Sequence, residues 1–177
     1  MTSSFDSLFP HGAAGADMDG LFRFSLWRQW GPGRQMTFVM LNPSTADALL
    51  DDPTLRRCIR FAKREGCDSV EVVNLYPYRT HKPKYLLQAE ADGIDISGGA
   101  LGRDPVQRAV LRANSHHDVL VAAWGAHPIA KTGGNRAVVT LAASRGTPVW
   151  CFGITKDGSP KHPLYLPADS PLIAWPC

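Results

Sequence analysis

Residues 36–47 read MTFVMLNPSTAD, and the fold follows from how that stretch divides. Met36–Leu41 is a short apolar run with the length and β-branched content of a buried strand. It breaks at once into Asn42-Pro43-Ser44-Thr45, where every residue is small, polar or ring-locked. Proline fixes its own φ and pushes the residue before it out of the helical region, so Asn42 is held at the strand's carboxyl end. In an open parallel sheet, ligands bind in the crevice outside such ends. The same residues would equally make an ordinary turn.

Working outward, Leu21–Trp30 alternates Phe22, Phe24 and Leu26 with Arg23, Ser25 and Trp27, the pattern of a half-buried strand. The turn Gly31-Pro32-Gly33 then predicts antiparallel pairing with the Met36 strand. Met1–Gly20, rich in Ser, Gly, Ala and Asp, is expected to be poorly ordered. Downstream of the Asn-Pro turn, Asp52 and Pro53 form an N-cap and first position for a helix carrying Leu55, Cys58, Ile59 and Ala62 on one face. Gly66 ends it. Its other faces carry Arg56, Arg57, Arg60, Lys63 and Arg64, either a solvated surface or a phosphate-contacting one.

Ser69–Asn74 is a second strand, again delivering an Asn at its end, followed by Leu75-Tyr76-Pro77-Tyr78-Arg79. Tyr85–Ala91 suggests a short helix and Gly93–Gly102 a loose segment. Asp104-Pro105 opens a helix with Val106, Ala109, Val110 and Ala113 inward. Asp118–Trp124 is a third strand, Gly133-Gly134-Asn135 precedes a helix reaching about Arg145, with Ala137, Val138, Leu141 and Ala142 apolar, and Pro148–Gly153 is a fourth strand. Strands separated by helices predict a single α/β domain over residues 1–177. The expected architecture is a three-layer α/β/α sandwich with a central, mostly parallel four-stranded sheet plus the N-terminal antiparallel strand.

Composition narrows the function classes without choosing one. The chain has 177 residues, 44% hydrophobic and 20% charged, with net charge +3, ordinary for a water-soluble domain and compatible with a nucleic-acid partner. No apolar run reaches membrane-spanning length, and the first residues lack a basic-then-apolar signal pattern, so the cytoplasm is the expected compartment. Cys58, Cys67, Cys151 and Cys177 have no CxxC spacing; Cys58 and Cys151 fall on core-facing positions. The histidines lack metal-ligand spacing, His116-His117 faces the amino end of a strand, and no metal or cofactor is expected. Nucleophile-elbow, GxGxxG and Walker signatures are absent.

The topology brings Asn42-Pro43, Asn74, Trp124-Gly125 and the loop around His162 to one rim. An Asn amide offers one donor and one acceptor, which matches the edge of a planar heterocycle. The runs MLNPSTAD, DPTLRRC, EVVNLYPYR, AAWGAH and KHPLYLP together resemble a bacterial and phage family catalogued as a domain of unknown function, over nearly the whole chain from about Phe22. More remotely they resemble the uracil-DNA glycosylase superfamily. There a strand ends in Gly-x-Asn-Pro or Gly-x-Asp-Pro, a second ends in Asn, a third reads Leu-Trp-Gly, and a late loop reads His-Pro-x-x-Leu.

That resemblance implies a monomeric glycosylase acting on DNA without cofactor. Asn42 would orient the attacking water, Asn74 would read the pyrimidine edge, and His162 would stabilise charge on the leaving base. Leu164 or Tyr165 would wedge into the duplex and Tyr76 would stack on a flipped base. Pro43, Ser44 and Trp124 would complete the base pocket, with Arg79, His127, Lys131 and Lys161 toward the DNA. Leu41 and Ser44 stand where the superfamily has small or Gly residues, and with the HPLYLP loop they point away from plain uracil. An Asn cannot act as a base, so a carboxylate such as Asp47 or Asp51 is a further candidate beside its reading as a loop or cap residue. A nucleoside- or nucleotide-level hydrolase or transferase, and a catalytically silent nucleic-acid or nucleotide binder, remain alternatives.

Overall fold

Met36–Leu41 becomes the middle of a sheet. The computed structural model describes residues 13–44, 46–102, 104–116, 118–131 and 135–176, with backbone alone at Ala100, Ser115, His116 and Asn135–Ala137. The first twelve residues, Thr45, His117, the Gly133-Gly134 pair and Cys177, which figured in the sequence reading, lie outside it.

Among the described residues seven strands and four α-helices follow in order: β1 (Ala13–Asp19), β2 (Phe22–Gln29), β3 (Gln35–Met40), α1 (Pro53–Arg64), β4 (Ser69–Asn74), α2 (Lys84–Ala91), α3 (Pro105–His116), β5 (Val119–Ala122), α4 (Asn135–Arg145), β6 (Val149–Cys151) and β7 (Ile173–Ala174). They form one mixed sheet in the order β1-β2-β4-β3-β5-β6-β7. The inner four strands, β4, β3, β5 and β6, are mutually parallel, while β1, β2 and β7 are added antiparallel.

The period-two alternation of β3 sends its side chains to two cores. Met36, Phe38 and Met40 pack with Leu55, Cys58, Phe61 and Ala62 of α1. Val39 and Leu41 pack on the opposite face with Leu86, Val110, Val138 and Ala142 from the other three helices. Phe61 stacks on Phe152 with ring centroids 4.2 Å apart, tying α1 to the segment after β6. Cys58 and Cys151 are buried in these cores as expected, and burial pushes both thiols up, leaving them inert.

Three expectations need correction. The sheet has seven strands, and residues from Ala13 onward, expected to be poorly ordered, form β1 along the edge of β2. Secondly, β2 pairs with β4 and not with β3. The Gly31-Pro32-Gly33 segment is tied to the start of β4: Trp30 N and Gly31 N donate to Asp68 O, and Gly33 N donates to Asp68 Oδ2. It therefore steps across β4, and β3, buried on both faces, takes the central position where β4 and β5 complete its ladder. Thirdly, Arg23 and Ser25 do not face solvent; both are buried.

Candidate functional site

Two cavities adjoin where the parallel strands end. The larger, about 560 Å³, is walled by Asn42 and Ser44 after β3, Thr54 at the head of α1, Thr80 and His81, the Trp124–His127 turn after β5, and Lys161–Leu166 after β6, without Pro163. Behind it lies a chamber of about 70 Å³ that shares Met40, Asn42, Ser44, Thr54 and His162 as walls.

The Asn42 amide is fixed by its neighbours. Its Nδ2 donates to Thr80 O at 2.6 Å and to Pro43 O at 3.1 Å. Only a donor can sit between two carbonyls, so the amide orientation is determined and Oδ1 is left as its acceptor. Pro43 serves through that carbonyl, which also accepts from Thr80 N, and its own side chain is buried.

His162 is set by the His-Pro turn that follows β6. Pro163–Tyr165 is a short 3-10 turn, and His162 Nδ1 accepts from Leu164 N at 3.3 Å. An acceptor at Nδ1 places the neutral ring's proton on Nε2, leaving that nitrogen as the donor. Burial lowers the His162 pKa below its ordinary value, opposed by the attraction of Asp52, which favours the neutral ring. His127 repeats the device across the cavity, its Nδ1 accepting from Ile129 N at 3.4 Å. Gly125, with φ +78°, makes the turn between them, and a Cβ there would lie 3.7 Å from His162 Cβ.

Asp52 is the residue that sequence reasoning assigned to capping alone. Its Oδ1 does cap α1, accepting from Leu55 N at 2.7 Å. Its Oδ2 accepts from Ser44 Oγ at 2.8 Å, placing a carboxylate one hydroxyl behind the cavity wall. The expected carboxylates lie elsewhere: Asp51 pairs with Arg28 at 2.8 Å, and Asp47 Oδ1 accepts from Leu49 N and Leu50 N. The available signal was an Asp-Pro helix start eight residues after Ser44, close enough for the chain to fold back.

The other expected residues divide. Ser44, Trp124, His127, Lys161, Leu164 and Tyr165 line the large cavity with Asn42 and His162, and Tyr165 is 83% exposed. Trp124 is mostly core, meeting Trp175 edge to face at 5.0 Å. Asn74 lies in the wall of the inner chamber rather than the main cavity, buried, with neither amide atom hydrogen-bonded within the protein. Tyr76 is absent from the walls of both cavities: its hydroxyl donates to Ile129 O at 2.9 Å, and its ring packs against the core under α2, α3 and α4. Arg79 likewise lies off the walls with its Nε buried, and Lys131 is paired with Asp157. Among the described residues no cluster of His, Cys, Asp or Glu suits a metal ion, and no helix is long and apolar enough to cross a membrane.

Together these features define a mixed α/β protein with a polar, aromatic-rimmed cavity at the carboxyl ends of its parallel strands. The chain belongs to the family described as a protein of unknown function, DUF1643, whose model matches residues 23–164. No curated protein and no solved structure matches it.

Proposed function

We propose that this protein is a DNA glycosylase-like enzyme that hydrolyses the N-glycosidic bond of a pyrimidine base, on a uracil-DNA glycosylase-like core formed by β4-β3-β5-β6 and the helices on both faces. The observation that carries the reading is that two residues with fixed polarity line one cavity: Asn42, whose amide keeps Oδ1 as its acceptor, and His162, whose ring keeps Nε2–H as its donor.

Glycosidic cleavage develops positive charge on the sugar and negative charge on the leaving base. Asn42 Oδ1 accepts from the attacking water and aims it at C1′. Ser44 Oγ takes the water's proton as it passes its own to Asp52 Oδ2, so the carboxylate acts through the hydroxyl. The C1′–N bond breaks, the electron pair leaves with the base, and His162 Nε2–H stabilises the anion at a base oxygen. The proton collected at Asp52 returns to the departing base through solvent. A base in a duplex must first be flipped out, at a cost of a few kcal/mol; exposed Tyr165 on the rim is the candidate wedge.

A nucleotide-level hydrolase is the second reading, favoured by the scarcity of cations on the cavity wall, where Lys161 is the only lysine or arginine among the described residues. The test is alkali cleavage at abasic sites after incubation with oligonucleotides and phage genomic DNAs bearing uracil and bulkier pyrimidines. Wild type should cleave, and Asn42→Ala and His162→Ala should each lose about 100-fold or more. Cleavage untouched by both substitutions would remove this site from the reaction. Salt-dependent DNA binding without turnover would instead favour a silent binder.

A further inference from the structure

The inner chamber carries more charge than the proposed reaction uses. Arg23, on β2, is 4% exposed and Asn74, at the end of β4, is 2% exposed; both line it. Arg23 Nη1 donates to Ala46 O at 2.6 Å, but its Nε and both amide atoms of Asn74 have no partner within the protein. No carboxylate of the described residues forms an ion pair with Arg23. Asp52, itself in the chamber wall, and Asp47 attract it without reaching ion-pair distance, while Arg79 and Arg28 repel it, and Arg28 is already paired with Asp51. Burial lowers its pKa to about 10, which leaves it charged at neutral pH. A buried guanidinium that is neither paired nor fully hydrogen-bonded is costly to keep, and a strand position between Phe22 and Phe24 would otherwise take an apolar side chain.

We infer that the chamber receives a carboxylate carried by the substrate base, with Arg23 Nε–H and Asn74 Nδ2–H as its two donors. The inference rests on the glycosylase reading for the base, though not for the chamber's affinity. Two donors match two carboxylate oxygens, and Asn74 Oδ1 is left for an N–H on the adjoining ring edge. The chamber has room for roughly two waters, enough for a carboxylate but not for a pyrimidine ring, so the ring stays in the main cavity and its substituent enters. An amino or methyl group there would leave the Arg23 donor unmet, and arginine cannot accept.

The test compares excision by the wild type from oligonucleotides bearing 5-carboxycytosine, its neutral carboxamide isostere, cytosine or uracil. Binding of free 5-carboxycytosine is measured alongside by calorimetry. The carboxylate should be preferred over the carboxamide by about 100-fold in kcat/KM, and Arg23→Gln, checked for folding by circular dichroism, should collapse that ratio to near one. Excision with no preference for the carboxylate overturns the inference and leaves the glycosylase reading intact. If no base is excised but free 5-carboxycytosine binds, and Arg23→Gln or Arg23→Lys weakens that binding, the glycosylase reading falls and the chamber assignment stands. Neither excision nor binding overturns both.

Discussion

His162 shows how a single side chain can be fixed in position and in protonation state at once. The Leu164 N–H occupies Nδ1, and burial disfavours the imidazolium against a lesser pull from Asp52. Because the folded-state pKa lies below the ordinary 6.5, the unfolded chain binds the proton more readily. This residue's contribution to stability is therefore complete above pH 6.5 and is lost as pH falls through the folded pKa. His162→Asn should flatten the fall of Tm below pH 6.5, measured by thermal melts across a pH series; an unchanged slope would mean the ring is not protected from protonation. Asn42 and His162 were legible because their constraint is local: a following proline, a strand end and one turn suffice. Arg23 and Asp52 were not. An arginine in an alternating strand reads as its wet face, and only the register shift opposite Asp17 and Met18, which breaks the alternation between Arg23 and Ser25, and the residues around Ala46 reverse that. An aspartate before a proline reads as a cap, which it is, and nothing local announces that its second oxygen meets Ser44.

At the scale of the element, the start of α1 joins folding to the proposed chemistry. Asp52→Ala removes the cap and should cost about 1 kcal/mol, whereas Asp52→Asn keeps an oxygen for Leu55 N and loses only the basic carboxylate. Asp52→Asn should therefore melt close to wild type while excision drops about 100-fold and its pH profile loses the acid limb that reports the base. Undiminished excision by Asp52→Asn would reduce Asp52 to a cap. The central strands and the helices were readable because long periodic or β-branched runs carry their own signal. The outer strands were not: β1 reads AAGADMD and is imposed by pairing with β2, and β7 is a two-residue pairing with Trp150 and Cys151. Gly15 shows what that imposition requires, since a Cβ there would lie 2.2 Å from the Trp27 ring. The β2–β4 pairing was missed for the same reason, because a glycine-proline turn suggests a hairpin unless the strand it must cross is known.

For the whole molecule the question is where DNA would approach. The basic run on α1 is largely engaged with its own protein: Arg64 donates to Ala168 O and Ser170 O, Arg56 to Asp51 O, Lys63 lies over the Trp30 ring, and Arg57 over Phe61. A second cluster, Arg34, Arg108 and Arg112, lines a polar cavity of about 900 Å³ that it shares with Asp17, Glu71 and Asp118. Arg108 and Arg112 approach Asp17 and Asp118 there at 3.8 and 4.0 Å. Cations beside the mouth of the proposed site include Lys161 on its wall, exposed Lys82, and Lys84, whose ammonium lies over the Tyr85 ring. Three phosphate contacts imply a slope of roughly −3 in log K against log salt for duplex DNA, since each released counterion contributes about −0.9. Fluorescence anisotropy over a salt series should give that shallow slope. Reversing Lys82 and Lys161 to Glu should flatten it by about 2, whereas reversing Arg56 and Arg60 should leave it unchanged. A slope that responds to Arg56 and Arg60 alone would move the DNA onto α1, away from Asn42 and His162. The cavity would then have to be read as a nucleotide site without a duplex partner.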